Sequence, residues 1–309
     1  MNRDPVLKLL PANSLQIGLA LGVVTVFLGS IVAAGAKHLS NQLSIATIVL
    51  AQYLICFLMS LPWLIKHGGL KALKTDYPWQ HIVRGFSGCA CFYTFFIALK
   101  HIPLVDATLL RNTAPLIVPL VILVWMRVGV PRSRWLPLII GFIGIAVILK
   151  PGEQGASVWH LVAFSSGIGL AVSMVATRVL AKTEPESRIL FYYYAISLIF
   201  AVPFFIFNYE PIPVLTWPWL VGIGAAMYFT FALYTRAYRY VKASVLAPTS
   251  YFAVVFAGLL DWIVWDHLPD IWVICGTILV VGGGILSLYI ANIQDQQPIP
   301  ANQNGRHEE

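Results

Sequence analysis

The sequence predicts an all-α integral membrane protein whose ten transmembrane helices form two inverted five-helix repeats. Three observations carry this expectation. The chain is 59% hydrophobic and 11% charged over 309 residues, with a mean hydropathy of +0.79, whereas soluble domains carry roughly 25% charged residues. Apolar stretches near the length that spans a hydrocarbon core recur with short polar breaks along the chain. The basic residues gather in alternate breaks, as orientation in a bilayer requires.

The expected spans, in order, are 14–36, 43–65, 79–100, 103–126, 135–150, 157–180, 188–208, 216–239, 242–265 and 270–292. The first follows a short segment of mixed charge and is long enough to span, so it reads as a retained helix rather than a cleaved signal. Its Gly18, Gly22, Gly29 and Ala33 form a stripe that lets a neighbour approach closely. The third opens on HIVRG, His81 to Gly85, and carries Ser87, Cys91 and Thr94 at helical spacing, a mildly polar face or a close-packing one. The fourth contains Arg111, Asn112, Thr113, Pro115 and Pro119, and the fifth is short and Gly-rich. Ser166 and Ser173 share a face of the sixth, as Tyr228 and Thr235 do of the eighth. The ninth carries Pro248, Thr249, Ser250 and Tyr251. The tenth has Gly282 to Gly284 without the Lys-Ser/Thr of a phosphate loop, so that run reads as packing. Trp217, Trp219, Trp262 and Trp265 near span ends read as an interfacial belt.

With the N-terminus inside, about sixteen basic residues lie on the cytoplasmic side, including Lys66, Lys71, Lys74, Arg178 and Arg188. Lys37, Lys100 and Lys150 fall outside, and Arg111 lies within a span. The break around Lys71 is therefore cytoplasmic, those around Glu153 and Glu210 external, and both termini cytoplasmic; the inner (cytoplasmic) membrane is the expected location. This placement accounts for the net charge of +7 without nucleic acid. Residues 1–150 form the first repeat with a short cytoplasmic N-terminal segment, 151–293 the second, and 294–309 a polar cytoplasmic tail expected to be disordered. Cys56, Cys89, Cys91 and Cys275 sit in apolar stretches and read as buried small residues, with no metal site and no cofactor implied.

The repeat is visible in sequence order. FYTFFIALKHIPLVDATLLRNTAPLIVPLVILVWM from Phe92 and YFTFALYTRAYRYVKASVLAPTSYFAVVFAGLLDWIVW from Tyr228 share an aromatic helix end, a basic Ala turn, a Pro, a long apolar run and a following Gly-rich helix. An odd number of crossings per half inverts the second half, the arrangement from which transporters build a midplane site. The stretches at Ala98–Val118 and Ala243–Trp262, with HIVRG, resemble the paired motifs of the drug/metabolite transporter superfamily, EamA type. The resemblance covers nearly all of 14–292. It implies a ten-helix fold with both termini cytoplasmic and a central cavity lined mainly by spans 1, 3, 4, 6, 8 and 9, with 5 and 10 outside. Members often carry a Gly-Glu pair at the ends of spans 4 and 9; this chain has Arg127-Val128 and Asp266-His267 there.

Arg111 is the sharpest signal. A charged side chain near mid-span costs on the order of 2.5–3.5 kcal/mol by insertion scales, so it needs water, a partner or a substrate. Facing a wet cavity, its guanidinium would hold a carboxylate or phosphate through paired hydrogen bonds. The alternative is an ion pair fixing the bundle, with Asp261 of the ninth span as the available carboxylate. Pro115 and Pro119 free carbonyls that either line the cavity or accommodate a kink. Arg84 reads either as a second polar contact or as a side chain snorkelling to the cytoplasmic interface. Ser250 and Tyr251 occupy the counterpart of the Arg111 region in the second repeat, and Tyr228, Thr94 and Ser173 complete the expected substrate-binding set with Asn112, Thr113 and Pro115.

The expected function is secondary transport of a small anionic or zwitterionic organic metabolite, amino-acid- or nucleotide-like, by alternating access. Without an ATP-binding motif the energy comes from exchange or a gradient, so the partners are a small-molecule substrate, the lipid bilayer and a counter-substrate or proton. The alternatives are an intramembrane enzyme, against which stands the lack of H-E-x-x-H or paired catalytic carboxylates in the spans, and a non-transporting receptor or scaffold.

Overall fold

The structure is a computed structural model that describes residues 14–66, 69–127, 135–149, 157–181, 183–237, 240, 249–250 and 252–296. Eleven α-helices occur among the described residues: α1 (Ser14–Leu39), α2 (Ile45–Lys66), α3 (Pro78–Leu99), α4 (Leu104–Arg111), α5 (Ala114–Met126), α6 (Trp135–Leu149), α7 (Val158–Leu180), α8 (Glu186–Phe207), α9 (Trp217–Ala237), α10 (Phe252–Trp265) and α11 (Ile271–Gln296). Their starts follow local chemistry. Pro78 stands in the first turn of α3, where its missing N–H would have gone unbonded anyway. Ser157 caps α7 by accepting the Trp159 amide.

The expected fourth span is two helices rather than one. Pro115 has no N–H for the Arg111 carbonyl and its ring crowds that oxygen, so α4 stops at Arg111 and α5 restarts at Ala114. The Asn112 amide donates to Thr108 O at 2.8 Å and the Thr113 hydroxyl to Leu110 O at 2.6 Å, satisfying carbonyls left at the helix end. α7 backs onto the break through Gly167, where a Cβ would meet the Leu110 carbonyl and the Thr113 hydroxyl, each at 2.8 Å. The broken backbone is thus enclosed by protein, the condition for irregular structure at membrane depth.

Seven stretches, with α4 and α5 together as one, are long and apolar enough to cross a membrane; α6, α10 and Ile271–Leu286 of α11 are apolar but shorter. α3 lies along α7 and α8, α1 along α9 and α10, and α2 along α8 and α9. α4 and α5 pack on α7, α4 also meets α10, and α6 pairs with α11. The core holds Tyr53, Phe95, Phe96, Leu109 and Tyr194, while large apolar side chains such as Val124, Ile199, Phe207 and Ile263 face outward. An apolar exterior on this scale is what lipid covers. Trp217, Trp219 and Trp262 are about half exposed, whereas Trp265 is partly buried beneath Lys37. α11 runs on through Gln296, past the expected start of the tail at 294. The rest of the tail, the segment before Ser14, Val128 and Tyr251 lie outside the described residues.

Candidate functional site

α3 is the spine of the site. Arg84, Gly88, Cys91, Phe92 and Phe95 are all buried on it, and their spacing keeps them near one face. The Arg84 guanidinium carbon stands 4.7 Å from the centre of the Tyr193 ring of α8. Gly88 admits that ring: the Tyr193 edge lies against its Cα, in the space a Cβ would occupy. The Tyr193 and Tyr53 hydroxyls are 3.1 Å apart, and the Tyr53 ring of α2 meets both Tyr193 and Phe92 edge-on. At the other end of this aromatic run the Arg111 guanidinium sits over Phe92 and Phe95, 4.6 and 4.7 Å from their centres. Tyr194, Phe231 and Tyr228 widen the array toward α9.

Among the described residues neither Arg84 nor Arg111 forms an ion pair, and the Nε of each is buried without a hydrogen-bond partner. The Cys91 thiol stands beside Arg111, and the exposed Glu186 carboxylate acts on Arg84 only through space. An aromatic face stabilises a desolvated cation by about 2 kcal/mol, but it accepts none of the in-plane N–H bonds. The Gln52 amide and the Tyr194 hydroxyl are likewise buried and unpaired. Buried polar groups are normally satisfied, so this cluster is where a polar solute gains most.

Both ends of the bundle carry polar ties. At one end the fully buried Asp261 of α10 receives the Lys37 ammonium of α1 at 2.9 Å and the Val105 amide of α4 at 2.7 Å. Beside it His160 of α7 stands 3.7 Å from Asp106. At the opposite end Glu184 accepts from Thr75 at 2.6 Å and Arg188 at 2.7 Å, while Arg188 and Tyr192 also donate to the carbonyls of Ala72 and Leu73. Burial alone would raise the Glu184 pKa; the Thr75 and Arg188 hydrogen bonds outweigh it and hold the carboxyl below the ordinary glutamate value.

The structure brings Arg111, Arg84 and Tyr228 to one aromatic array and puts other expected residues elsewhere. Arg84 retains 8% exposure and turns inward onto Tyr193 rather than snorkelling. Asp261 is committed to Lys37 and Val105, which removes it as the Arg111 counter-ion. Thr113 is fully buried at the α4–α7 contact. Ser173 is buried and donates across to the Arg84 carbonyl at 3.4 Å. The Ser87 and Thr94 hydroxyls bond to carbonyls of their own helix, as the Asn112 amide does. Pro115 is partly exposed in the first turn of α5, and Ser250 is partly exposed just before α10. The array also contains residues the sequence reading passed over: Tyr53, Phe92, Phe95, Tyr193, Tyr194 and Phe231. The Tyr192-Tyr193-Tyr194 run and the Gln52-Tyr53 pair were the available signals, in spans that the resemblance left off the cavity.

The profile of the EamA-like transporter family matches residues 16–150 and again 157–289. The chain is 29% identical over 269 residues to the pseudopaline exporter of Pseudomonas aeruginosa, covering 86% of this chain and 94% of that one. It is 23% identical over 269 residues to the S-adenosylmethionine uptake transporter of Rickettsia bellii, covering 85% and 92%. To the riboflavin transporter of Brucella anthropi it is 26% identical over 258 residues, covering 81% and 89%. One crystal structure shares the fold with a TM-score of 0.60 at 20% identity, covering 89% of this chain and 98% of its own. With a twice-matching family profile and apolar spans throughout, this chain is an integral membrane protein that belongs to the EamA-like transporter family.

Proposed function

We propose that this chain is a secondary carrier that moves a small anionic or zwitterionic organic metabolite across the cytoplasmic membrane by alternating access, with Arg111 as the charge-recognising residue. The observation that carries this reading is Arg111, which ends α4 at the break of a transmembrane segment, its Nε shielded from solvent and its guanidinium without a carboxylate partner among the described residues. Discontinuous spans are where carriers bind charged solutes. The relatives named for pseudopaline, S-adenosylmethionine and riboflavin support a metabolite as cargo.

The mechanism uses two inverted five-helix halves, 1–150 and 151–293. Three features support it: the family profile matches once in each half, α3 on α7 has its counterpart in α9 on α1, and α3 on α8 in α9 on α2. Both termini are cytoplasmic in this reading, so the Lys37–Asp261–Val105 tie closes the outer side and the Glu184 ties close the inner one. Each set breaks in turn as the halves rock. Coupling comes from a counter-substrate or a proton.

Proteoliposome uptake of a labelled metabolite pool tests the reading. Arg111→Ala should abolish saturable uptake with near-normal expression, and Arg111→Lys should restore little, because a point charge lacks the two-pronged geometry. Full uptake by the Arg111→Ala protein would overturn the assignment.

A further inference from the structure

Arg84 is buried and Arg111 is partly exposed with its Nε shielded from solvent, and the two guanidiniums stand at opposite ends of one aromatic run. Arg111 lies beside Cys91, seven residues beyond Arg84 on α3, so the two cations belong to levels of α3 whose backbone positions are roughly 10 Å apart at 1.5 Å per residue. Tyr193, Tyr53 and Phe92 join them in sequence, each ring within 6.2 Å of the next. Each guanidinium carbon stands over a ring and each Nε is unpaired. An isolated cation within a span would be a burden that an ion pair could remove. Two of them, both left open and joined by apolar rings, match a ligand with the complementary pattern.

We infer that the carrier's substrate is an elongated organic anion with two separated acidic groups, carboxylate or phosphate, joined by a flat or apolar middle. One acidic group binds Arg111 and the other Arg84, while the middle lies along Tyr193, Tyr53 and Phe92. The buried, unpaired hydroxyl of Tyr194, whose ring adjoins Tyr193, is a neighbouring group able to hydrogen-bond a polar atom of that middle. This inference rests on the anion-carrier reading and narrows its substrate class from any anion to a two-ended one. The paired cations also set a discrimination: a monoanion leaves one guanidinium unanswered, so it gains only about half of the charge-assisted contacts.

The test is thermal stabilisation of the purified full chain in detergent at constant ionic strength. The probes are benzoate, terephthalate, sulfate and the linear dicarboxylates from malonate to sebacate. Extended dicarboxylates should bind about tenfold or more tightly than benzoate, as one added charge-assisted contact allows, with a maximum at intermediate length. Arg84→Gln should remove the preference of the extended dicarboxylates over benzoate, and the unliganded melting transition reports whether that variant is folded. Equal stabilisation by benzoate and extended dicarboxylates would overturn the two-ended substrate while leaving the carrier reading intact. So would sulfate matching the longest dicarboxylate, or an Arg84→Gln protein that keeps the dicarboxylate preference. Loss of the carrier reading itself would show differently, as proteoliposomes with no saturable uptake of any labelled metabolite, and loss of the Arg111 assignment as uptake that survives Arg111→Ala.

Discussion

Arg127 and Asp266 are the non-glycine residues with left-handed backbone among those described, at φ 53° and 51°. Each closes a helix: Arg127 follows α5, and Asp266 follows α10, where its amide and that of His267 bond back to Trp262 and Asp261. Each follows the helix that carries the long apolar run of its repeat, α5 in one half and α10 in the other. Left-handed backbone costs an L-residue roughly 1–2 kcal/mol, which glycine avoids. Asp266→Gly should therefore raise the thermal midpoint by a few degrees, for about 1 kcal/mol of strain relieved, with uptake unchanged. A fall in the midpoint would mean that the Asp266 side chain contributes more than its backbone costs.

At the scale of elements, α4 joins the polar ties to the site. Its first turn is held by Asp261 through the Val105 amide and stands beside His160 through Asp106; its last residue is Arg111. An eight-residue rigid helix thus connects the proposed outer closure with the substrate charge. Removing one partner of a buried ion pair costs about 3–5 kcal/mol, so Asp261→Asn should lower the thermal midpoint and increase thiol labelling of a site cysteine from the outer face. Exchanging the charges, Lys37→Asp with Asp261→Lys, should not restore stability. The Val105 N–H also points at residue 261 and would then face an ammonium. Full rescue by the exchange would reduce the cluster to a simple ion pair and remove α4 from the closure.

For the whole molecule, orientation in the bilayer rests on the distribution of Lys and Arg. In a chain with Cys275→Ser, leaving the buried Cys56, Cys89 and Cys91, a cysteine at Lys74 should react with an impermeant maleimide only from the cytoplasmic side. One at Glu210 should react only from outside; both positions are exposed. The reverse pattern would invert the topology and exchange the roles of the two sets of end ties.

The chain's hydropathy, basic-residue pattern and paired Pro-containing segments determined by themselves that it is a helical membrane protein and that it belongs with the EamA-like transporters. They also marked Arg111, since a charge inside an apolar run is visible without coordinates. Pro115 and Pro119 marked a disturbance of the fourth span, but its division into two helices at Arg111 was not foreseen, because a proline can kink a helix as well as end it. Side-chain partnership was not legible. Whether Asp261 would meet Arg111 or Lys37, whether Arg84 would snorkel or turn onto Tyr193, and which aromatics would face the two cations depend on contacts between helices far apart in sequence. Periodicity reports which face a residue occupies and nothing about what lies opposite. Only the packing of α3 against α8, with Gly88 admitting the Tyr193 ring, decided that Arg84 and Arg111 share one aromatic run.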